Sequence, residues 1–166
     1  MSWGRKPSKS AGGPEPSAYQ RALGLLVRRE HSRKELGRKL VAKGVAREDL
    51  DLALDKLRRQ DFQNDARFAA ALARSRSSSG YGPARIRAEL SQHGLAREDV
   101  AAALEACECD WHAAARELVA RRYAGKNLGD PDLRRKAVDF LLRRGFEQKA
   151  AFAAVKAAPE GIEALD

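Results

Sequence analysis

Two stretches fifty residues apart decide the fold of this chain: VAREDLDLAL at residues 45–54 and LAREDVAAAL at residues 95–104. Aligned at that shift, the two copies share their packing and turn positions: Leu36 and Ile86, Leu40 and Leu90, Gly44 and Gly94. A weaker third copy follows at a further shift of about 51 residues and places Gly145 at the glycine position. Repetition at this period is typical of helical arrays. We therefore predict an all-α protein of three tandem three-helix repeats that form an elongated, curved body.

Helix signals recur at matching places in the repeats. Ser32 with Glu35 predicts a capping box before the second helix, and Asp65 and Asp110 stand where the N-caps of later helices are expected. The glycine that the three copies share predicts a helix stop. The residues to which we assign structural roles are Gly44, Gly94, Gly145, Pro83, Ile86 and Leu90.

Composition changes at the two ends of the chain. Residues 1–17 are rich in Gly, Pro, Ser and Lys and cannot bury enough apolar surface to order, so we predict a disordered basic tail. Trp3 lies in that tail, and the sequence gives it no role. The predicted division is a tail at 1–17, repeat 1 at 18–63, repeat 2 at 64–109, repeat 3 at 110–158 and a C-terminal tail at 159–166.

The net charge of +9 over 166 residues is unevenly distributed. Residues 19–63 hold twelve Lys or Arg against seven Asp or Glu, whereas residues 64–109 hold six of each. A basic excess attracts phosphates or an acidic protein surface. No apolar run is long enough to span a membrane, and the N-terminus has no apolar core of a secretory signal, so we expect a cytoplasmic protein.

No pattern in the chain predicts an enzyme, a metal site or a cofactor. Cys107 and Cys109 have one residue between them and no zinc-like partner pair, and residues that close on one helix point apart, so we expect a buried thiol and no local disulfide. His93 precedes a stop glycine, where a cation suits the helix C-terminus. A helix-turn-helix DNA reader is disfavoured because the would-be recognition helices begin with Arg-Glu-Asp at 47–49 and 97–99.

The stretch SSSGYGPARIRAEL, residues 77–90, is the most informative candidate contact region. We predict a flexible lead-in at 77–82 and contact roles for Tyr81, Arg85 and Arg87, because the other repeats do not place two arginines there. If these side chains are not contacts, Tyr81 packs under the loop and the arginines are simply solvated. The full set of predicted filament or DNA contacts is Arg33, Lys34, Arg38, Lys39, Arg67, Arg74, Arg76, Tyr81, Arg85 and Arg87.

The block GYGPARIRAEL, with NDARFAAALARSR before it and GLAREDVAAAL after it, resembles the RecX family of recombinase regulators. The resemblance covers about residues 18–158. It implies a non-enzymatic cytoplasmic protein without cofactors. Such a protein binds the filament that the RecA recombinase forms on single-stranded DNA. The resemblance also implies that it modulates, in the direction of inhibition, ATP hydrolysis, strand exchange and SOS signalling.

Two other functions fit the residues alone. The chain is then either a sequence-independent, basic nucleic-acid-binding helical array without a recombinase partner, or a helical scaffold that recognises an acidic protein. In each case we expect a monomer, because the outer faces of the end repeats are polar.

Overall fold

The structure is a computed structural model, and it describes residues 13–158. Within that range the chain forms nine α-helices and no strand. The helices are α1 Ala18–Leu26, α2 Arg33–Ala42, α3 Arg47–Arg59, α4 Asp65–Ser78, α5 Pro83–Gln92, α6 Arg97–Ala106, α7 Trp111–Arg122, α8 Pro131–Arg143 and α9 Gln148–Lys156. Trp3 and the C-terminal tail predicted at 159–166 lie outside the described residues.

The helices group in threes around separate cores, which confirms the three tandem three-helix units. Unit 1 (α1–α3) buries Leu36, Leu40 and Leu57, and unit 2 (α4–α6) buries Phe68, Ile86 and Leu90. Unit 3 (α7–α9) packs around a larger cluster that includes Val119, Leu141 and Val155. Every extensive helix–helix interface in the described range lies within a unit. The repeat positions that the sequence aligns are therefore core positions.

The shared glycines end the second helix of each unit, as predicted. Gly44, Gly94 and Gly145 follow the C-caps of α2, α5 and α8 with φ values of +79°, +76° and +90°. An L-residue with a side chain pays strain in this left-handed region, whereas glycine does not. The glycine recurrence is thus a backbone requirement that repeats with the unit.

Two predictions about caps need correction. Ser32 does cap α2 by accepting from the Glu35 amide, but the Glu35 side chain turns away to Arg29 and Lys39, so the box is incomplete. Asn64, not Asp65, caps α4, because the Asp65 carboxylate accepts instead from the Arg33 amide at 2.9 Å. Asp110 caps α7 as predicted, and Pro83 opens α5. A complete capping box is found at Ser17 and Gln20 instead.

Adjacent units meet at two seams that repeat the same geometry. In each seam the N-terminus of the second helix of one unit meets the C-terminal turn of the second helix of the next. In seam 1, Ser32 hydrogen-bonds His93 at 2.8 Å and the Lys34 ammonium donates to the Gln92 carbonyl at 2.9 Å. The same two helix ends therefore form the contact between each pair of adjacent units.

Seam 2 joins units 2 and 3 through the main chain. The Gly82 amide donates to the Arg144 carbonyl at 2.8 Å, and the Ala84 amide donates to the Gly145 carbonyl at 3.0 Å. A Cβ on Gly82 would overlap the backbone of Gly145 and Phe146. Gly80 and Gly82 are buried, and α4 runs on to Ser78, so the flexible lead-in predicted at 77–82 is wrong. This segment is instead the inter-unit contact.

The cysteine prediction is also wrong, because the structure pairs Cys107 with Cys109 in a disulfide. Helix α6 ends at Ala106, and Glu108 has a φ of +51°, which turns the chain back so that the two side chains meet. The prediction assumed that both cysteines lie on one helix. Cys107 is half-buried and not fully enclosed. Elsewhere, none of the described helices is long and apolar enough to cross a membrane.

Candidate nucleic-acid interface

The four predicted contacts of unit 1 all lie on α2, but three of them are engaged within the chain. Arg33 forms an ion pair with Asp55 at 2.8 Å. Lys39 pairs with Glu35 at 2.9 Å, and Lys34 is held at seam 1. Arg38 is exposed and has no ion pair among the described residues. Arg33 and Lys39 are therefore neutralised within unit 1, whereas Lys34 and Arg38 keep an unpaired charge.

The arginines of α4 separate into different environments. Arg67 forms ion pairs with Glu30 and Asp61, and its pKa is raised by the hydrogen bond to Glu30. Arg76 donates two hydrogen bonds to Glu89 at 2.8 and 2.6 Å, which lowers the pKa of that carboxyl. Arg74 is exposed, and no ion pair in the described range includes it.

Helical geometry divides these arginines further. Seven residues make almost two turns, so Arg67 and Arg74 share a face of α4 as predicted. Arg76 lies about 200° around the helix from Arg74, because each residue advances by about 100°. Arg85 and Arg87 on α5 diverge by the same angle, and Arg87 is exposed. The predicted contacts therefore do not form one patch.

Tyr81 is half-buried at seam 2, and the guanidinium groups of two arginines pack against its ring. The Arg85 guanidinium lies 4.6 Å from its ring centroid, and that of Arg144, from unit 3, lies 4.9 Å away. Such cation–π contacts orient both arginines. Arg144 also donates to the Ser79 carbonyl at 3.2 Å. Its presence beside Tyr81 depends on seam 2, so no pattern within one repeat predicts it.

The alternation of cations and rings continues into unit 3. Arg144 lies 5.3 Å from the Phe140 ring centroid, and Arg122 lies 4.8 Å from the same ring. Tyr123 packs edge-on against Phe140, and the Lys126 ammonium lies 5.3 Å from the Tyr123 centroid. We call the cations of this surface the cationic row: Arg85, Arg144, Arg122 and Lys126. The sequence contains these four residues, but it does not indicate that they lie side by side in the fold.

A buried polar cluster stands at the edge of seam 1, and sequence reasoning missed it. His31 is almost fully buried; its Nδ1 donates to the Arg29 carbonyl and its Nε2 accepts from Lys39 at 3.0 Å. Burial raises the pKa of Glu35, but hydrogen bonds from Arg29 and Lys39 outweigh it and hold that pKa at about 2. The spacing of His31, Glu35 and Lys39 at four residues was the available signal.

His93 has a role at seam 1 that differs from the predicted helix-end cation. Its ring packs on Phe68, with the centroids 4.7 Å apart, and its Nδ1 is hydrogen-bonded to the Ser32 hydroxyl. Burial lowers the pKa of His93, which favours the neutral ring. His93 thus acts as an inter-unit contact.

A cleft of about 590 Å³ lies between units 1 and 2. Its walls carry charges of both signs, with Arg29, Arg38 and Arg76 facing Glu30, Glu35 and Glu89. Residues 13–158 contain no group of three His, Cys, Asp or Glu side chains arranged for a metal ion. The arrangement can hold charged groups of a partner.

Comparison with known families matches all three units. The family models described as the first, second and third three-helix domains of RecX match residues 18–57, 64–104 and 108–155. The matched segments follow the three groups of helices and together cover most of the chain.

Similar full-length relatives carry the same name. The regulatory protein RecX of Xanthomonas axonopodis pv. citri is 53% identical over 142 residues, which cover 86% of this chain and 88% of the relative. That of Stenotrophomonas maltophilia strain R551-3 is 53% identical over 133 residues, or 80% and 82% of the two chains.

Two crystal structures resemble the fold. That of a regulatory protein RecX has a TM-score of 0.66 and 26% identity, and the match covers 85% of this chain and 70% of that chain. That of RecX from Lactobacillus salivarius also has a TM-score of 0.66, at 23% identity over 84% and 92% of the two chains, and shows likeness of fold alone.

Proposed function

The chain belongs to the RecX family of regulatory proteins, and from that premise we propose that it regulates the RecA recombinase by binding its filament on single-stranded DNA. The observation that carries the proposal is the match of all three units, in order, to the three family domains. The proposed regulator acts in the cytoplasm as a monomer, through binding and without catalysis.

The tandem architecture supports action on a polymer rather than on a single subunit. The units have separate cores and touch through narrow seams, so successive units present successive surfaces along the array. A ligand shifts a conformational equilibrium only by its difference in affinity for the two states. Binding across neighbouring RecA subunits is expected to favour one state of the filament, and thereby to inhibit ATP hydrolysis, strand exchange and SOS signalling.

A second candidate function is a sequence-independent nucleic-acid-binding array with no recombinase partner. The cationic row favours it, because no ion pair within the described range neutralises Arg85, Arg122, Lys126 or Arg144. Phosphate binding by such a surface needs no protein partner. The two functions differ in how much protein is needed to inhibit ATP hydrolysis by RecA.

The test is the rate of ATP hydrolysis by RecA on single-stranded DNA as the protein is titrated in. We expect inhibition well below one molecule per RecA subunit, because each bound regulator affects several subunits. The matched control repeats the titration with a large excess of single-stranded DNA. Inhibition that needs stoichiometric protein and disappears with excess DNA contradicts the proposal and supports the second candidate.

A further inference from the structure

The cationic row combines two features: its cations have no acidic partner, and each of them lies against an aromatic ring. Arg33, Arg67 and Arg76 each form an ion pair with a carboxylate. The four cations of the row form none, and three of them are exposed, while Arg144 is half-buried at seam 2. The row therefore places four unpaired cations, each against an aromatic ring, side by side across units 2 and 3, whereas the one other cation–ring contact among the described residues, Lys56 over Tyr19, stands alone in unit 1.

We propose that the cationic row is the surface on which the chain holds the phosphates of single-stranded DNA. The inference rests on the proposed function, which makes single-stranded DNA the core of the bound filament. A guanidinium packed against an aromatic ring keeps its edge N–H groups free for two hydrogen bonds to one phosphate. Tyr81 and Phe140 orient Arg85, Arg144 and Arg122 in this way.

Pre-orientation makes this surface better suited to phosphates than freely moving side chains. A long basic side chain loses rotamer freedom when it binds, and that loss weakens affinity. Each cation of the row already rests on a ring that is itself packed on a core cluster. A bound strand would cross seam 2, so its affinity would depend on the relative position of units 2 and 3.

The composition of the surface favours nucleic acid over an acidic protein. The centre of a protein–protein interface is apolar and depleted of charge. The row is instead a series of charges over rings, of which Phe140 is 9% exposed and Tyr81 and Tyr123 are half-buried. Leu142 is the nearest exposed apolar residue on α8, and it lies about 200° around the helix from Phe140.

The test compares two triple variants that lose the same charge. The row variant is Arg85→Gln with Arg122→Gln and Lys126→Gln; it keeps Arg144, which also binds the Ser79 carbonyl of seam 2. The control variant is Arg47→Gln with Arg97→Gln and Lys149→Gln. These three cations are exposed in the first turns of α3, α6 and α9, where the helix dipole disfavours them. Affinity for labelled oligothymidine is measured by fluorescence anisotropy over a range of salt concentrations.

We expect the row variant to bind more than about tenfold more weakly, with a log–log salt slope smaller by about 2, since each single-strand phosphate contact contributes about 0.7. The control variant should stay close to wild type. Equal losses in the two variants would overturn the inference, because charge anywhere would then suffice. Should the row variant fail to fold, the double variant Arg122→Gln with Lys126→Gln, which touches neither seam, is expected to lower the slope by about 1.4.

RecA measurements separate this inference from the proposed function. Wild-type inhibition of the filament, combined with a row variant of unchanged oligothymidine affinity, overturns the inference and leaves the proposed function standing. If that variant also lost filament binding, the row would contact an acidic protein surface. Conversely, weaker oligothymidine binding by the row variant, with no effect of wild type on RecA, supports the row and contradicts the proposed function.

Discussion

Glu35 is a buried carboxylate in unit 1 that two cations stabilise. Its carboxylate is 7% exposed and accepts from Arg29 and Lys39, while its backbone amide is capped by Ser32. A buried carboxylate without partners would be strongly destabilising, so the two cations determine whether the burial of Glu35 lowers or raises the stability of the fold. The sequence predicted Glu35 only as part of a capping box, because the Arg29 side chain that redirects it comes from a loop whose path is set by tertiary packing.

Glu35→Gln should lower the free energy of unfolding by about 2 kcal/mol at neutral pH, because Arg29 and Lys39 lose their shared partner. The measurement is urea unfolding of the variant and wild type, with the exposed Glu105→Gln as control, expected within about 0.5 kcal/mol of wild type.

The same pair of proteins tests the low pKa of Glu35. A folded-state pKa of about 2 lies below the unfolded value of about 4.3, so its contribution is complete above the unfolded pKa and is lost as pH falls toward 2. The stability difference between wild type and Glu35→Gln should therefore shrink as pH is lowered from 5 to 2. A difference that stays constant over this range would contradict the assignment.

His93 and His31 predict a second pH effect. Burial lowers both pKa values, so below the unfolded pKa of about 6.5 the unfolded chain takes up protons that the folded chain does not. Stability should fall as pH drops from 7 to 5, and His93→Gln should flatten that fall. Thermal unfolding midpoints measure it, with the exposed His112→Gln as control; an unchanged slope in His93→Gln would count against burial as the cause.

At the scale of helices, the seams are what the sequence could least foresee. The helix count per unit, the glycine stops and the Asp110 cap follow from local patterns, because each depends on residues a few positions apart. Seam 2 depends on Gly82 meeting Gly145, sixty-three residues further on. No periodicity indicates that meeting, so residues 77–82 were predicted as a flexible lead-in. For the same reason the ion pair between Arg67 and Glu30 was not predicted.

Gly82→Ala should open seam 2 while leaving the units folded. Gly82 has an ordinary φ of −87°, so alanine brings no backbone strain, but its Cβ would overlap the Gly145 backbone. We expect wild-type helix content and faster hydrogen exchange at the Ala84 amide, which donates across the seam. The control is Gly24→Ala, a helical position with open space, expected to stabilise α1 by about 1 kcal/mol. Unchanged Ala84 exchange in Gly82→Ala would refute the assigned contact.

At the scale of the whole molecule, three small cores in a row give an extended array instead of one globule. A compact chain of this length has a radius of gyration of about 15 Å. Small-angle scattering is expected to give a clearly larger value for a monomer, because every extensive helix–helix interface among the described residues lies within a unit. A value near 15 Å would show that the units fold back on each other.

RecA inhibition by wild type and by Gly82→Ala tests the central claim most directly, because it joins the function to the array. The rate of single-stranded-DNA-dependent ATP hydrolysis is measured as each protein is added. We predict that wild type inhibits well below one molecule per RecA subunit and that Gly82→Ala, with its units folded but seam 2 open, needs several times more protein. No inhibition by wild type, or equal inhibition by both proteins, would contradict a regulator that acts through rigidly joined units.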